Sequence, residues 1–154
     1  MQTFLPYPDF KLSAMSLDNK RLGKQRVEAK QIMLALTTDK YGWKNHPATK
    51  LWTDRIHDLA SYGVFCCIEW QQRGFKDSLF PFFVDYLDVN RKVTTDRDLG
   101  HALHHSHRAN LVYKDYWHYH SQFSDIPVLL TKPDYVWEDT HDQAIHLPCR
   151  SCRA

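Results

Sequence analysis

A chain of 154 residues, 43% hydrophobic and 14% aromatic with only five glycines, can bury one sizeable core and is not a loop-rich or low-complexity sequence. The net charge of +2 excludes a strongly polyanionic or polycationic protein, yet residues 11–50 hold nine Lys and Arg against Asp18, Glu28 and Asp39, an excess of +6, which leaves −4 on the remainder. No run approaches the ~18 apolar residues of a membrane span, and the opening MQTFLPYPDF lacks the basic start and apolar run of a signal peptide, so the chain is expected to be soluble and cytoplasmic.

The first strong pattern lies in SLDNKRLGKQRVEAKQ, residues 16–31, and continues to Leu36. Leu22, Ala29, Met33 and Leu36 recur at i, i+7, i+11 and i+14 and make an apolar helical stripe. Arg21, Lys24, Glu28 and Gln31, at i, i+3, i+7 and i+10, make a second stripe on a polar side of the same helix. Gly23 costs that helix roughly 1 kcal/mol relative to Ala; it either admits a close neighbour, such as a backbone or a phosphate, or is simply tolerated.

Gly42 and Pro47 mark a loop in YGWKNHPATK, and Pro47 suits the first turn of a second helix. Trp52, Ile56, Leu59, Gly63, Cys66 and Trp70 step along that helix at helical spacing, and it is expected to close at Arg73 with Gly74 as its stop. Residues 80–86 form a short aromatic helix or an extended segment, and residues 90–100 read as a polar surface excursion. A third helix is expected over 104–114. The tail beyond Ser124, with Pro127, Pro133 and Pro148, reads as coil wrapped on the surface. With no alternating strand set, the class is all-α: a single compact domain over residues 1–154, three main helices and an irregular C-terminal segment, of which 138–154 is a tail.

Three constellations carry chemistry. Glu28 is either a surface carboxylate paired with Lys24 one turn earlier, a weak arrangement, or a general acid/base held beside an anionic backbone by Arg21, Lys24 and Arg26. The run HHSHRANLVYKDYWHYH interleaves five histidines with Arg108, Lys114 and aromatic rings. It is either a half-buried aromatic helix or a nucleic-acid surface in which cations meet phosphates and rings stack on bases. A zinc site joining this cluster to Cys149 and Cys152 lacks ligands at convincing spacing, so no metal is assigned. Adjacent Cys66 and Cys67 are poor disulfide partners. Asn45 and His46 precede Pro47, where either can cap the helix or face a phosphate.

The stretches MQTFLPYPDF, LDNKRLGKQRVE, GWKNHPA, EWQQRGF and HSHRANLVYKD together resemble the pyrimidine-dimer DNA glycosylases of the phage endonuclease V type, in particular their bacterial and phage subgroup. The resemblance runs to about Trp137. It implies an all-α fold, excision of a damaged or modified pyrimidine from double-stranded DNA, and cleavage of the resulting abasic site. In such proteins the essential carboxylate follows a basic residue by seven positions, as Glu28 follows Arg21. The resemblance therefore implies Glu28 and Arg21 as catalytic residues and Lys24, Gln25, Arg26, Gln31, Asn45, His46, His107, Arg108, Lys114 and Trp117 as the DNA-binding set. The family's nucleophile is an α-amine on a small second residue. Here Gln2 is too large for efficient Met removal, which leaves Met1 as the amine, one residue longer, or else water as the attacking group. No cofactor is expected, and the protein is expected to act as a monomer. The alternatives are a non-catalytic DNA-binding module of the same fold and a zinc-stabilised interaction protein.

Overall fold

Asp9 starts the first helix: its carboxylate accepts the Leu12 N–H at 2.6 Å and caps α1 (Phe10–Ser16). The computed structural model describes residues 1–93, 95–138 and 144–145. Seven helices lie among them, the three longest being α2 (Asn19–Thr37), α4 (Ile56–Gln72) and α6 (His101–Lys114), so the expected all-α class with three main helices holds. At seven residues, α1 is too short for its periodicity to stand out in the sequence.

The apolar stripe of α2 is the buried one. Leu22, Ala29 and Met33 are fully covered, with Ile32 and Ala35 beside them. Each large side chain in that set contributes about 1.5–3 kcal/mol by leaving water. Asp18 caps this helix through the Arg21 N–H at 3.0 Å. Gly23 faces Trp70 of α4, where an added Cβ would stand 3.0 Å from the indole, so the close neighbour it admits is a ring rather than a phosphate.

The second helix does not run unbroken from Pro47. It is divided into α3 (Pro47–Leu51) and α4, and Asp54 between them adopts φ 59, a left-handed conformation that no continuing helix can contain. Its end is as expected: Gly74 at φ 85 sends its N–H to Gln71 O at 2.9 Å, and Phe75 N–H reaches Trp70 O at 3.3 Å, a Schellman closure. α4 forms the centre of the bundle, packing on α1, α2 and α5 (Phe80–Val84).

α6 begins three residues before its expected start, and α7 (Tyr116–Tyr119) follows it. The stretch 90–100 is more than a surface excursion: Leu99 is buried, Arg97 N–H donates to Pro8 O at 2.9 Å, and Phe10 N–H to Thr95 O at 2.8 Å. The tail lies irregularly on α6, held by Val136 N–H on Ser106 Oγ at 3.0 Å. It then enters the two-residue antiparallel pair β1 (Trp137–Glu138) and β2 (Ala144–Ile145). Cys66 and Cys67 are buried free thiols, and burial pushes the Cys67 thiol up to about 12. Cys149 and Cys152 lie outside the described residues. Among the described residues, no helix is long and apolar enough to cross a membrane.

Candidate active site

Residues 4–7 form an irregular segment, bent at Pro6 and Tyr7, whose main-chain polar groups are all met by side chains. Phe4 N–H donates to Gln25 Oε1 of α2 at 2.8 Å, and Phe4 O lies 3.0 Å from the Tyr62 hydroxyl of α4. Leu5 is held from both sides by α6: its N–H donates to His107 Nδ1 at 2.9 Å, and its carbonyl accepts from His104 Nδ1 at 2.8 Å. Arg108 Nη1 donates to Pro6 O at 2.8 Å, and Ser13 Oγ of α1 serves both Tyr7 N–H and Tyr7 O. Trp52 Nε1 adds a bond to Thr3 Oγ1 at 3.0 Å. A segment outside helix and sheet would otherwise leave these groups unpaired and costly. This anchorage delivers Met1 and Gln2 to the polar face of α2.

On that face Glu28 is half-buried and accepts from Gln25 Nε2 at 3.2 Å. The Gln25 amide cannot turn over, because its oxygen takes the Phe4 N–H and stands 2.8 Å from the Tyr62 hydroxyl. Gln25 is therefore a fixed donor aimed at the carboxylate. Glu28 enters none of the ion pairs among the described residues, so the ordinary Lys24–Glu28 surface pair is not formed.

Arg21 stands about two turns before Glu28, with its guanidinium 2.5 Å from Asp18 Oδ2, 3.8 Å from Asp115 Oδ2 and 5.5 Å from the centre of the Tyr119 ring. Burial alone would raise the Asp18 carboxyl, but hydrogen bonds from Tyr119 and Arg21 outweigh it and hold it down at about 2. Asp18 is thus a permanent anion that orients Arg21.

Met1, Gln2, Phe4, Arg21, Lys24, Gln25, Glu28, Lys20, Lys114 and Tyr135 enclose one pocket of about 360 Å³. That lies toward the small end of ligand pockets, roughly 300–1,000 Å³. Lys114 closes α6 there. Partial burial and the charges of Lys132, Arg21 and Lys24 lower its pKa, while Glu28 opposes them. Burial pushes the Tyr135 phenol up to about 12 despite Arg21 nearby. His46 caps α3 by accepting the Ala48 N–H on Nδ1 at 3.1 Å. Burial first, and the positive charge of the N-terminal amine second, lower its pKa. The pocket thus joins the Glu28 carboxylate and Met1 to a cationic rim of Lys20, Arg21, Lys24 and Lys114 suited to phosphates.

The family model described as "Pyrimidine dimer DNA glycosylase" matches residues 1–80, more than half of the chain. The chain belongs to this family. No curated protein and no solved structure matches it. The stretch matched to the pyrimidine dimer DNA glycosylase family carries Met1, Arg21, Lys24, Gln25, Glu28 and His46, whereas Lys114, Trp117 and Tyr135 lie beyond it.

Of the residues expected from the sequence, the fold brings Met1, Arg21, Lys24, Gln25, Glu28 and Lys114 to one pocket, while His46 caps α3. Gln25 is fully buried, so it meets Glu28 and not a phosphate. Arg26 does not join the cations. It sits two residues, roughly 200° of helical turn, from Lys24, and its Nη2 is 2.7 Å from the buried Asp77 carboxylate with the guanidinium over Trp70 at 4.6 Å. His107 is likewise a core residue, fully buried among Phe4, Tyr135 and Trp137. Arg108 is committed to Pro6 O and Asp125. Gln31 is half-buried one turn past Glu28, along a neighbouring groove with Val27 and Trp70. Asn45 is exposed, and Trp117 is 89% exposed on α7. The histidine run on α6 is therefore chiefly an anchor for residues 4–7. Among the described residues, no group of three or more His, Cys, Asp or Glu is placed to hold a metal. Tyr135 and Gln2 had no local signal, and Lys20 had only its place in the basic run.

Proposed function

We propose that this protein is a DNA glycosylase with abasic-site lyase activity that removes a damaged or modified pyrimidine from double-stranded DNA, acting as a cytoplasmic monomer. The observation that carries the reading is that the Glu28 carboxylate and Met1 line one pocket rimmed by Lys20, Arg21, Lys24 and Lys114. The cations offset the repulsion between a carboxylate and the phosphates that must approach it. The target nucleotide leaves the stack to enter the pocket.

The neutral Met1 amine attacks C1′ as the glycosidic bond breaks, and the pyrimidine departs with the bonding pair. Glu28 takes the proton the amine loses and returns it to the ring oxygen O4′ as the sugar opens to an imine. The carboxylate then removes a C2′ proton, and the 3′ phosphate leaves by elimination. Hydrolysis of the imine frees the amine. Arg21, Lys24 and Lys114 hold the flanking phosphates. The amine, the carboxylate and water, which protonates the departing pyrimidine and hydrolyses the imine, supply every proton and bond in this scheme, so no cofactor is required.

The test is a panel of duplexes, each with one modified pyrimidine, read by released base and by strand scission, with wild type beside Glu28→Gln. The variant keeps its shape and its Gln25 neighbour but exchanges no proton. It is expected to bind the target as well as wild type or better, with turnover lower by roughly 10²-fold or more. Full activity in a folded Glu28→Gln protein would remove Glu28 from the chemistry. Borohydride should trap an adduct on Met1; base release without any adduct would assign the attack to water.

A further inference from the structure

Gln25 is the uncharged side chain that α2 sends to the pocket, beside Lys20, Arg21, Lys24 and Glu28, and it is fully buried. A buried amide is tolerated only when its polar atoms find partners. Its Oε1 takes the Phe4 N–H at 2.8 Å and lies 2.8 Å from the Tyr62 hydroxyl, so both lone pairs are engaged. Tyr62 cannot swing away. It is fully buried on α4, with its ring 5.8 Å from Phe10 and 6.0 Å from Trp52. Burial raises its pKa well above 10, which keeps the hydroxyl a donor.

With Oε1 so occupied, Nε2 is left to Glu28 Oε2, at 3.2 Å across an i, i+3 step of the helix. Among the described residues this is the hydrogen bond Glu28 receives, and no cation forms an ion pair with it. Lys20, Arg21, Lys24, Lys114 and Met1 all line the same pocket. A loosely held carboxylate there would turn to one of these cations and be tied up by it. A neutral N–H fixes one oxygen and leaves the other without a described bond.

We propose that Gln25 and Tyr62 are positioning residues of the reaction: Tyr62 locks the Gln25 amide, and the amide holds one oxygen of Glu28 so that the other is free to move protons. This inference rests on the glycosylase reading, in which Glu28 is the acid and base. The competing role is structural, since the same amide also fastens Phe4. The two roles differ in one respect: fastening residue 4 does not act through Glu28, whereas positioning does.

The experiment uses the full chain and the duplex from the modified-pyrimidine panel that wild type cleaves fastest. Gln25→Met and Tyr62→Phe are each made alone and combined with Glu28→Gln, and each is checked by thermal melting to be folded at the assay temperature. Single-turnover base release and duplex affinity are measured for all. Gln25→Met should lower the rate roughly 10-fold or more, because a displacement near 1 Å can cost about 10²-fold, with affinity changed little. Tyr62→Phe should give a smaller loss of the same kind. In the Glu28→Gln background each should cost less than about 3-fold and no more than half its loss in wild type, since residues acting through one group are not additive. Full, multiplying losses in that background, or no loss from either single variant, would overturn the positioning role while leaving the glycosylase reading intact. If Gln25→Met does not fold, the Tyr62→Phe pair decides alone, because it removes one oxygen and keeps the ring. Failure of wild type to release any pyrimidine, or full activity in Glu28→Gln, would sink the reading itself and the positioning role with it.

Discussion

His107 shows how residue type and residue role can separate. Its Nδ1 accepts the Leu5 N–H at 2.9 Å, so the neutral ring carries its proton on Nε2, where no hydrogen-bond partner is described. Burial first, and the charge of His104 second, lower its pKa from 6.5 to about 3. The unfolded chain therefore takes up a proton below pH 6.5 while the folded chain refuses it until about pH 3. The stability associated with this group is complete above pH 6.5 and drains away as pH falls through that window, at about 1.4 kcal/mol per pH unit. His104, whose pKa burial also lowers, adds loss of the same sign. Urea denaturation at pH 7.5 and 5.5 should show wild type weaker at the lower pH, and His107→Asn, which offers an amide oxygen to Leu5, should show a shallower dependence. A wild-type stability that does not change between those pH values would contradict the buried neutral ring. The sequence placed this histidine in the DNA-binding set, through its run of interleaved cations and aromatic rings and the family resemblance. What decides otherwise is a bond to a residue 102 positions earlier in the chain.

At the scale of elements, α4 is where packing is tightest. A Cβ on Gly63 would overlap the Phe83 ring of α5, which is fully buried. Gly63→Ala should therefore lose stability, since overpacking costs about 1–3 kcal/mol and the helix-propensity gain of roughly 1 kcal/mol does not cover it. Chemical denaturation checks this, and a variant more stable than wild type would show that Phe83 can move aside. The apolar stripe of α2 and the Gly74 stop of α4 were legible because each depends on spacing within a few turns. The break between α3 and α4 was not: residues 52–55 keep helical periodicity in the sequence, while the backbone departs from it at Asp54, φ 59, and at Arg55, φ −124. α1 was missed for the opposite reason, being too brief to display a period.

Across the whole molecule, the excess of positive charge in residues 11–50 becomes a local field. Lys20, Arg21 and Lys24 on α2 meet Lys114 from the end of α6 at one opening. Lys24 is exposed there and has no ion-pair partner among the described residues, so Lys24→Ala should fold normally. It should weaken binding to damaged and undamaged duplex alike and reduce the slope of log K against log salt by about 0.9 for one lost phosphate contact. Titrations across a salt series measure this, and an unchanged slope would exclude Lys24 from the DNA contact. The half of the site carried by α2 was readable from the sequence as a stripe. The half supplied by Lys114, Tyr135 and the anchorage of residues 4–7 was not readable as geometry, because it arises from side chains far apart in the chain converging on a few peptide groups.

That anchorage makes the pocket a ruler. Every peptide group from Phe4 to Tyr7 is fastened by a side chain of α1, α2, α4 or α6. The count of residues before Thr3, rather than their identity, then fixes how far the first amine reaches. One residue added or removed there shifts that amine by about 3.3 Å, a whole hydrogen-bond length, whereas exchanging Gln2 for another side chain large enough to keep Met1 leaves the reach as it was. Laboratory versions of this protein are best lengthened at the far end of the chain, because in the proposed mechanism the length at this end sets the reach of the attacking amine.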